Sequence, residues 1–289
     1  ETSRAERMDY AEAQFRKLCA SRGLNWDTMT ETERENFVDD LIHRKTTINH
    51  TSNLVVVALK NYQKHHYKND RSELPKEIGD EVYTNPFAFL IGACFDRGMD
   101  WKQAWKIPYE IKRRGKLDPS ILASMTEEEL SLLLESLPRK PRYGTERGAK
   151  TLKDAACLVH DQFGGDAAAI WRDASPTEVK KRLQSIYGVA QGIASMVVRI
   201  LHDDCGTFRG QKHQIDIKAD IHVKRVFQRT GLTHTEAEEE VVSAARLLNP
   251  KFPGGLDWPA WKIGKDWCFP TKPQCNSCPL TAVCGKHIK

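Results

Sequence analysis

Nothing in this 289-residue chain approaches the roughly 18 uninterrupted apolar residues of a membrane-crossing helix, and nothing at its start reads as a secretory leader. The expectation is a protein with no membrane partner. Alternating apolar–polar runs are missing too, and no segment repeats another, which argues against sheet folds and solenoids. A large excess of one charge is also absent: 44 Lys and Arg against 39 Asp and Glu leave +5. That balance suits a polyanionic partner and an ordinary soluble protein alike. Finally, the eight cysteines do not form the spread of a disulfide scaffold. Cys19, Cys94, Cys157 and Cys205 stand singly and read as reduced, packed thiols. A reducing intracellular setting follows, cytoplasmic (nucleoid-associated) or nuclear.

What is present is helical periodicity. Residues 1–50 read as a helical extension, 52–66 as an apolar helix, and 67–85 as polar and turn-rich. Helical patterns then recur at about 87–95, 100–114, 126–136, 145–162, 176–186, 191–202, 221–229, 235–248 and 258–266. Loops bearing Gly, Pro, Asp and Asn separate them, and the chain reads as all-α.

The remaining four cysteines fall within the last 22 residues, as Cys268, Cys275, Cys278 and Cys284, spaced C-x6-C-x2-C-x5-C. Short loops can bring such thiolates to one metal centre at little entropic cost. Spacing alone leaves zinc and an iron–sulfur cluster open.

Upstream, residues 183–194 join two helical patterns through a turn containing Gly188, Val189, Ala190, Gln191 and Gly192. Glycine permits a tight junction, and the following helix N-terminus offers backbone N–H groups to a phosphate. An ordinary helix–turn–helix corner is the plain alternative. Asp220 then precedes a helical run, where an N-cap is its simplest role. His222 and Arg225 follow it, and Asp216 is a nearby rival acid.

These stretches resemble the helix-hairpin-helix (HhH-GPD) DNA glycosylase superfamily, in its iron–sulfur, endonuclease III-like branch. The cysteine spacing, with Lys272-Pro273 before the second cysteine, is similar to that branch's [4Fe–4S] loop. Residues 183–194 resemble its hairpin, L-x-x-L-P-G-V-G-x-x-T-A; Gly188 and Val189 match, while Tyr187 and Ala190 depart. Residues 219–226 resemble V-D-x-H-x-x-R-V, with only Ala219 departing. Residues 85–93 resemble the helix that opens the six-helix barrel. The resemblance covers about residues 52–289 and implies a monomeric enzyme that excises a damaged or mismatched base from double-stranded DNA.

On this resemblance Asp220 is the catalytic carboxylate, stabilising oxocarbenium charge on the sugar and helping to activate water. The 188–192 turn and Lys272 meet the DNA backbone, and Cys268, Cys275, Cys278 and Cys284 hold the [4Fe–4S] cluster. It implies a two-lobed fold. Residues 85–204 form the barrel; residues 51–84 and 205–289 form the lobe of the cluster and the catalytic Asp. Further basic residues, from Arg139 to Lys150, lie between two helices and suit phosphate contacts.

The departures carry expectations of their own. Where bifunctional relatives place a Schiff-base lysine, this chain has Gly192, so hydrolysis without strand cleavage is expected; Lys218 is the minor substitute. Gly98 stands where a glutamine wedge is usual, leaving Arg97 or Met99 to fill the gap of an extruded base. Gly92-Ala93 replace the glutamate neighbourhood of adenine glycosylases, which argues against adenine removal. A segment at 205–213 is longer than the family's and either shapes the base pocket or is a surface loop. Trp258, Trp261 and Trp267 read as core packing.

Overall fold

The computed structural model describes residues 12–13, 15–17, 19–20, 25–68 and 73–288, with the backbone alone at 36 and 39–50. Among the described residues there is no strand, and helices account for the ordered structure. The chain divides into two compact units, Glu1–Asn53 and Leu54–Lys289.

In the first unit a small cluster gathers Cys19, Trp26 and Phe37, with Phe15 stacked on Trp26 at 5.2 Å. Part of the expected extension, including residues 1–11, lies outside the described residues. Helix α1 (Glu31–His66) is continuous where the sequence suggests two pieces, and its residues from Leu54 onward belong to the second unit.

The second unit holds two hydrophobic cores. After α1 come α2 (Lys76–Thr84), α3 (Pro86–Phe95), α4 (Trp101–Ala104), α5 (Ile107–Arg113), α6 (Pro119–Ser124), α7 (Glu127–Glu135) and α8 (Thr145–Cys157). Next are α9 (Pro176–Leu183), α10 (Gln191–Cys205), α11 (Ile221–Thr230), α12 (Glu238–Leu248) and α13 (Asp257–Asp266). Helix α3 begins where the Asn85 side chain accepts from Phe87 and Ala88 N–H, and nearly every residue in it is buried. A helix apolar on all sides belongs at the centre of a core.

The first core runs from Leu74, Ile78 and Val82 through α3 to α10 and ends at Ile215. The second joins Val55, Val56, Leu59 and Tyr62 of α1 to a run from Ile217 to Leu280. The chain therefore crosses from one core to the other at residues 215–217. Buried Asp216 pins this crossing, bonded to Lys180 of α9 and to Arg246 of α12 at 2.7 and 3.0 Å. Burial pushes its carboxyl up, but Arg246 and Lys180 more than reverse that and hold it below the usual range. Removing one partner of such a buried pair costs about 3–5 kcal/mol.

Two helices escape the periodic reading, α2 and the six-residue α6, which lies between the patterns at 100–114 and 126–136. The segment 67–85 contains α2, whose apolar stripe of Ile78 and Val82 is too sparse to stand out among charges. Residues 100–114 are α4 and α5 separated at Trp105 and Lys106, with Pro108 opening α5.

Candidate active site

Immediately after the crossing come Lys218, Ala219 and Asp220. Asp220 is the N-cap of α11, and its Oδ1 accepts from His222 N–H at 2.8 Å and Val223 N–H at 2.9 Å. Both cap bonds use the same oxygen. The residue lines two adjoining spaces. One is an open groove whose lining includes Arg97, Gly98, Arg142, Gly188, Gly192, Lys224 and the exposed Ile221. The other is a more enclosed pocket between the two cores, whose lining mixes the rings of Tyr83, Trp101, Trp105, Trp258 and Trp261 with aliphatic and charged side chains. Asp96, Lys218 and Asp220 line both, so they stand where groove and pocket meet.

Asp216 has no such position, since its oxygens are taken by Lys180 and Arg246. Inside the pocket, buried Asp257 accepts the Lys218 backbone N–H at 2.7 Å and lies 3.8 Å from Arg199, which also pairs with Asp203 at 3.3 Å. Burial pushes the Asp257 carboxyl up to about 6, against the pull of Arg199.

The hairpin between α9 and α10 forms one rim of the groove. Gly188 has φ of +79°, a left-handed conformation that glycine adopts freely. A β-carbon there would stand 1.4 Å from the Arg97 guanidinium. That guanidinium lies 4.0 Å from the centre of the Tyr143 ring and donates to Thr151 Oγ1 at 2.8 Å. Arg97 thus props the turn from beneath. Val189 is buried in the first core, while Gly188 and Ala190 are exposed and Gln191 and Gly192 half-exposed. Ala190 caps α10 without a side-chain oxygen, leaving the first N–H groups of that helix available to an anion. Gly98 is exposed and Met99 lines the groove beside it.

The four C-terminal cysteines line one pocket together with Arg229, Trp267 and Lys286. Among the described residues no three His, Cys, Asp or Glu side chains stand in ligating geometry for a single ion. The loop is tied to α11 by two buried arginines. Arg225 donates to Cys268 O at 2.5 Å and to Gly264 O at 2.8 Å; Arg229 donates to Phe269 O at 2.6 Å and Pro270 O at 2.8 Å. Arg229 also reaches Cys268 Sγ at 3.6 Å. Burial pushes the Cys278 and Cys284 thiols up. Lys272 is exposed in this loop, with φ of +54°.

Residues 205–213 line neither the groove nor the pocket. The following Gln214 bonds to Thr177 and Lys180 of α9, so the segment leads back onto the hairpin's first helix. Trp258 and Trp261 combine core packing with pocket lining, a double role that helical spacing does not reveal. Arg199, Asp257 and Trp105 escape sequence reasoning. Their one signal is Arg199 itself, a charge inside the otherwise apolar run from Met196 to Leu201.

This is the helix-hairpin-helix glycosylase architecture: two helical cores, a hairpin beside the groove and a carboxylate at the groove–pocket junction. No protein-family profile matches the chain. Rat adenine DNA glycosylase is 26% identical over 231 residues, 76% of this chain and 40% of that protein. Its mouse counterpart is 24% identical over 172 residues, 57% and 29% respectively. The chain therefore spans two fifths or less of these relatives' lengths. Among solved structures, a non-covalent endonuclease III–DNA complex superposes with a TM-score of 0.54 at 22% identity, over 70% of this chain and 84% of that one. A thermostable thymine-DNA glycosylase gives 0.57 at 16% identity, over 83% and 97%. The chain thus shares the fold of these DNA glycosylase structures and is similar in sequence to the mammalian adenine DNA glycosylases. Among the described residues no helix is long and apolar enough to cross a membrane.

Proposed function

We propose that this protein is a monofunctional DNA glycosylase of base-excision repair, acting as a monomer on duplex DNA that carries a lesion or mismatch. The observation that carries this reading is Asp220, at the point where an open, basic-rimmed groove meets a more enclosed, partly aromatic pocket. A base can be attacked at its sugar only once it has left the stack, so a groove for the duplex and a pocket for one base are what the chemistry needs. Backbone N–H groups at the start of α10 would hold a phosphate, and Arg142 and Lys224 add charge along the groove. With the base in the pocket, Asp220 faces the sugar. Its carboxylate stabilises the oxocarbenium charge and accepts a proton from the attacking water.

Gly192 brings no amine to the hairpin helix, so the product is an abasic site with both strands intact. One observation favours a second reading. A β-carbon on Gly192 would lie 3.7 Å from Lys218 Cγ, so the Lys218 chain passes through the space beside it. The Lys218 ammonium, at 3.1 Å from Met196 Sδ, could then form a Schiff base with the sugar.

We assign the four cysteines to a structural [4Fe–4S] cluster. What supports this reading is that the four thiols line one pocket, on a spacing that resembles the family's cluster loop. Arg229 adds positive charge beside those sulfurs. The cluster's part is to fold the loop that α11 leans on, and iron and sulfide content of the purified protein tests it.

The deciding experiment screens duplexes with single lesions, with and without hot alkali, beside Asp220→Asn. Asparagine still caps a helix, so the variant keeps its fold while losing the carboxylate. Cleavage only after alkali, abolished in the variant, is expected. Cleavage without alkali, with borohydride trapping that disappears in Lys218→Gln, would establish the second reading. Full activity in Asp220→Asn would refute the role given to this carboxylate.

A further inference from the structure

Granting that the protein is a glycosylase, the groove beside Asp220 bears on which sugar it accepts. Most of that groove is lined by acids, cations and glycines. Ile221 is the exception: a branched apolar side chain, 69% exposed, on the residue that directly follows Asp220. Ile193 is packed into the first core and Met99 is half-buried, so Ile221 presents the larger apolar face.

The backbone is not free to turn this side chain inward. The Ile221 carbonyl accepts from Arg225 Nη1 at 3.2 Å, and Asp220 caps the helix from the preceding position. Behind it α13 approaches closely at Gly264, where a β-carbon would stand 2.8 Å from the His222 carbonyl oxygen. The start of α11 is therefore clamped, with Ile221 held outward at its first helical position.

An isoleucine in that place gains only where an apolar face of the nucleic acid comes against it. Both cap bonds fall on Asp220 Oδ1, which leaves Oδ2 to face C1′ of the nucleotide under attack. Lys224, one turn further along α11, lines the same groove and supplies charge for a phosphate. Ile221 lies between the two along the helix. The part of a strand that runs between an attacked C1′ and a phosphate is the furanose edge at C2′ and C3′. In deoxyribose C2′ is a methylene; in ribose it carries a hydroxyl.

We propose that Ile221 reads the sugar: its side chain packs on the C2′ methylene of the nucleotide at Asp220 and so excludes a ribonucleotide. A methylene covered by isoleucine leaves only water behind. A hydroxyl pressed there gives up its water partners and finds none on the side chain that covers it. The Ile221 carbonyl is no substitute acceptor, since Arg225 already engages it. The discrimination belongs to the sugar and is independent of the base in the pocket.

The test therefore uses no base at all. Binding is measured to a duplex with a tetrahydrofuran abasic analogue and to one with its ribo form, which adds a 2′-hydroxyl to the same ring. Undamaged duplex serves as the reference. Wild-type protein should bind the deoxy analogue more tightly than the ribo form by about tenfold. Ile221→Val keeps the apolar face and should keep the gap. Ile221→Thr offers a hydroxyl in the same branched shape and should close most of it. The position is exposed, so both variants should unfold at the wild-type temperature. Equal binding of the two analogues, each above undamaged duplex, overturns the proposal and leaves the glycosylase reading standing. So does tighter binding of the ribo form, which would mean that Asp220 accepts the added hydroxyl. A gap that survives in Ile221→Thr overturns the proposal as well, because another residue would then exclude the hydroxyl. Failure to prefer either analogue over undamaged duplex would bring down the glycosylase reading and this inference with it.

Discussion

Gly188 and Arg97 occupy one volume between them. The guanidinium fills the place of a β-carbon and the backbone turns left-handed above it. In Gly188→Ala the strained φ alone costs about 1 kcal/mol, and displacement of Arg97 from Tyr143 and Thr151 adds to that. Thermal unfolding should register the loss and DNA affinity should fall with it. Arg97→Ala in the same chain should relieve the clash, so the double variant loses less than the two singles added together. Strict additivity would show that the guanidinium does not prop the turn. A second residue sets a pH dependence. Burial raises the Asp257 carboxyl from 3.8 to about 6, with Arg199, Lys218 and Asp220 as its charged neighbours. The native state thus binds this proton more tightly than the unfolded chain. Its contribution to stability is full below about pH 4, declines as pH rises towards 6 and is flat beyond, a total of roughly 3 kcal/mol. Denaturant titrations between pH 4 and 7 should find this decline in the wild type and a shallower one in Asp257→Asn. Identical profiles would rule it out.

Helix α11 links two tasks. Its first turn is capped by Asp220, and its buried face sends Arg225 and Arg229 to the carbonyls of the cysteine loop. Hydrogen bonds from a charged donor are worth about 1.5–3 kcal/mol each. Arg229→Met should therefore destabilise the protein by about 3 kcal/mol or more and speed iron loss under chelation. An unchanged rate of iron loss would separate the arginine from the cluster loop. Much of this helix was legible in the sequence, because an N-cap aspartate, an apolar stripe and the terminal Gly231 bound it unambiguously. The hairpin was legible for a related reason: Gly188 satisfies a backbone requirement that few residues meet. What sequence could not supply was partnership. Arg225 reads as one letter of a motif, and only the fold brings it to Cys268, 43 positions away. Helices α4 and α5 fused in the periodic reading because a two-residue break leaves the apolar period nearly in phase. Helix α2 vanished because its charged residues outnumber its apolar ones.

Across the whole molecule +5 is a weak charge, and its distribution matters more than its size. Arg142 and Lys224 line the groove; Arg139 and Lys140 are exposed between α7 and α8, and Arg147 and Lys150 are exposed on the first turns of α8. Arg142 also donates to Gly98 O at 3.4 Å, across the groove floor. Each phosphate neutralised releases condensed counterions, which steepens the fall of affinity with salt by about 0.9 in a log–log plot. Duplex affinity should therefore drop strongly between low and physiological salt, and Arg142→Gln should flatten the slope by close to one unit. That loss should be uniform across sequences, because a phosphate contact positions the duplex without reading it. Trp101→Leu should behave oppositely, leaving the slope intact while changing which base is bound, since the pocket holds no phosphate. If Arg142→Gln left the slope unchanged, the duplex would have to run along another face. The junction at Asp220 would then be the mouth of a pocket without its groove, and the assignment of both would need revision together.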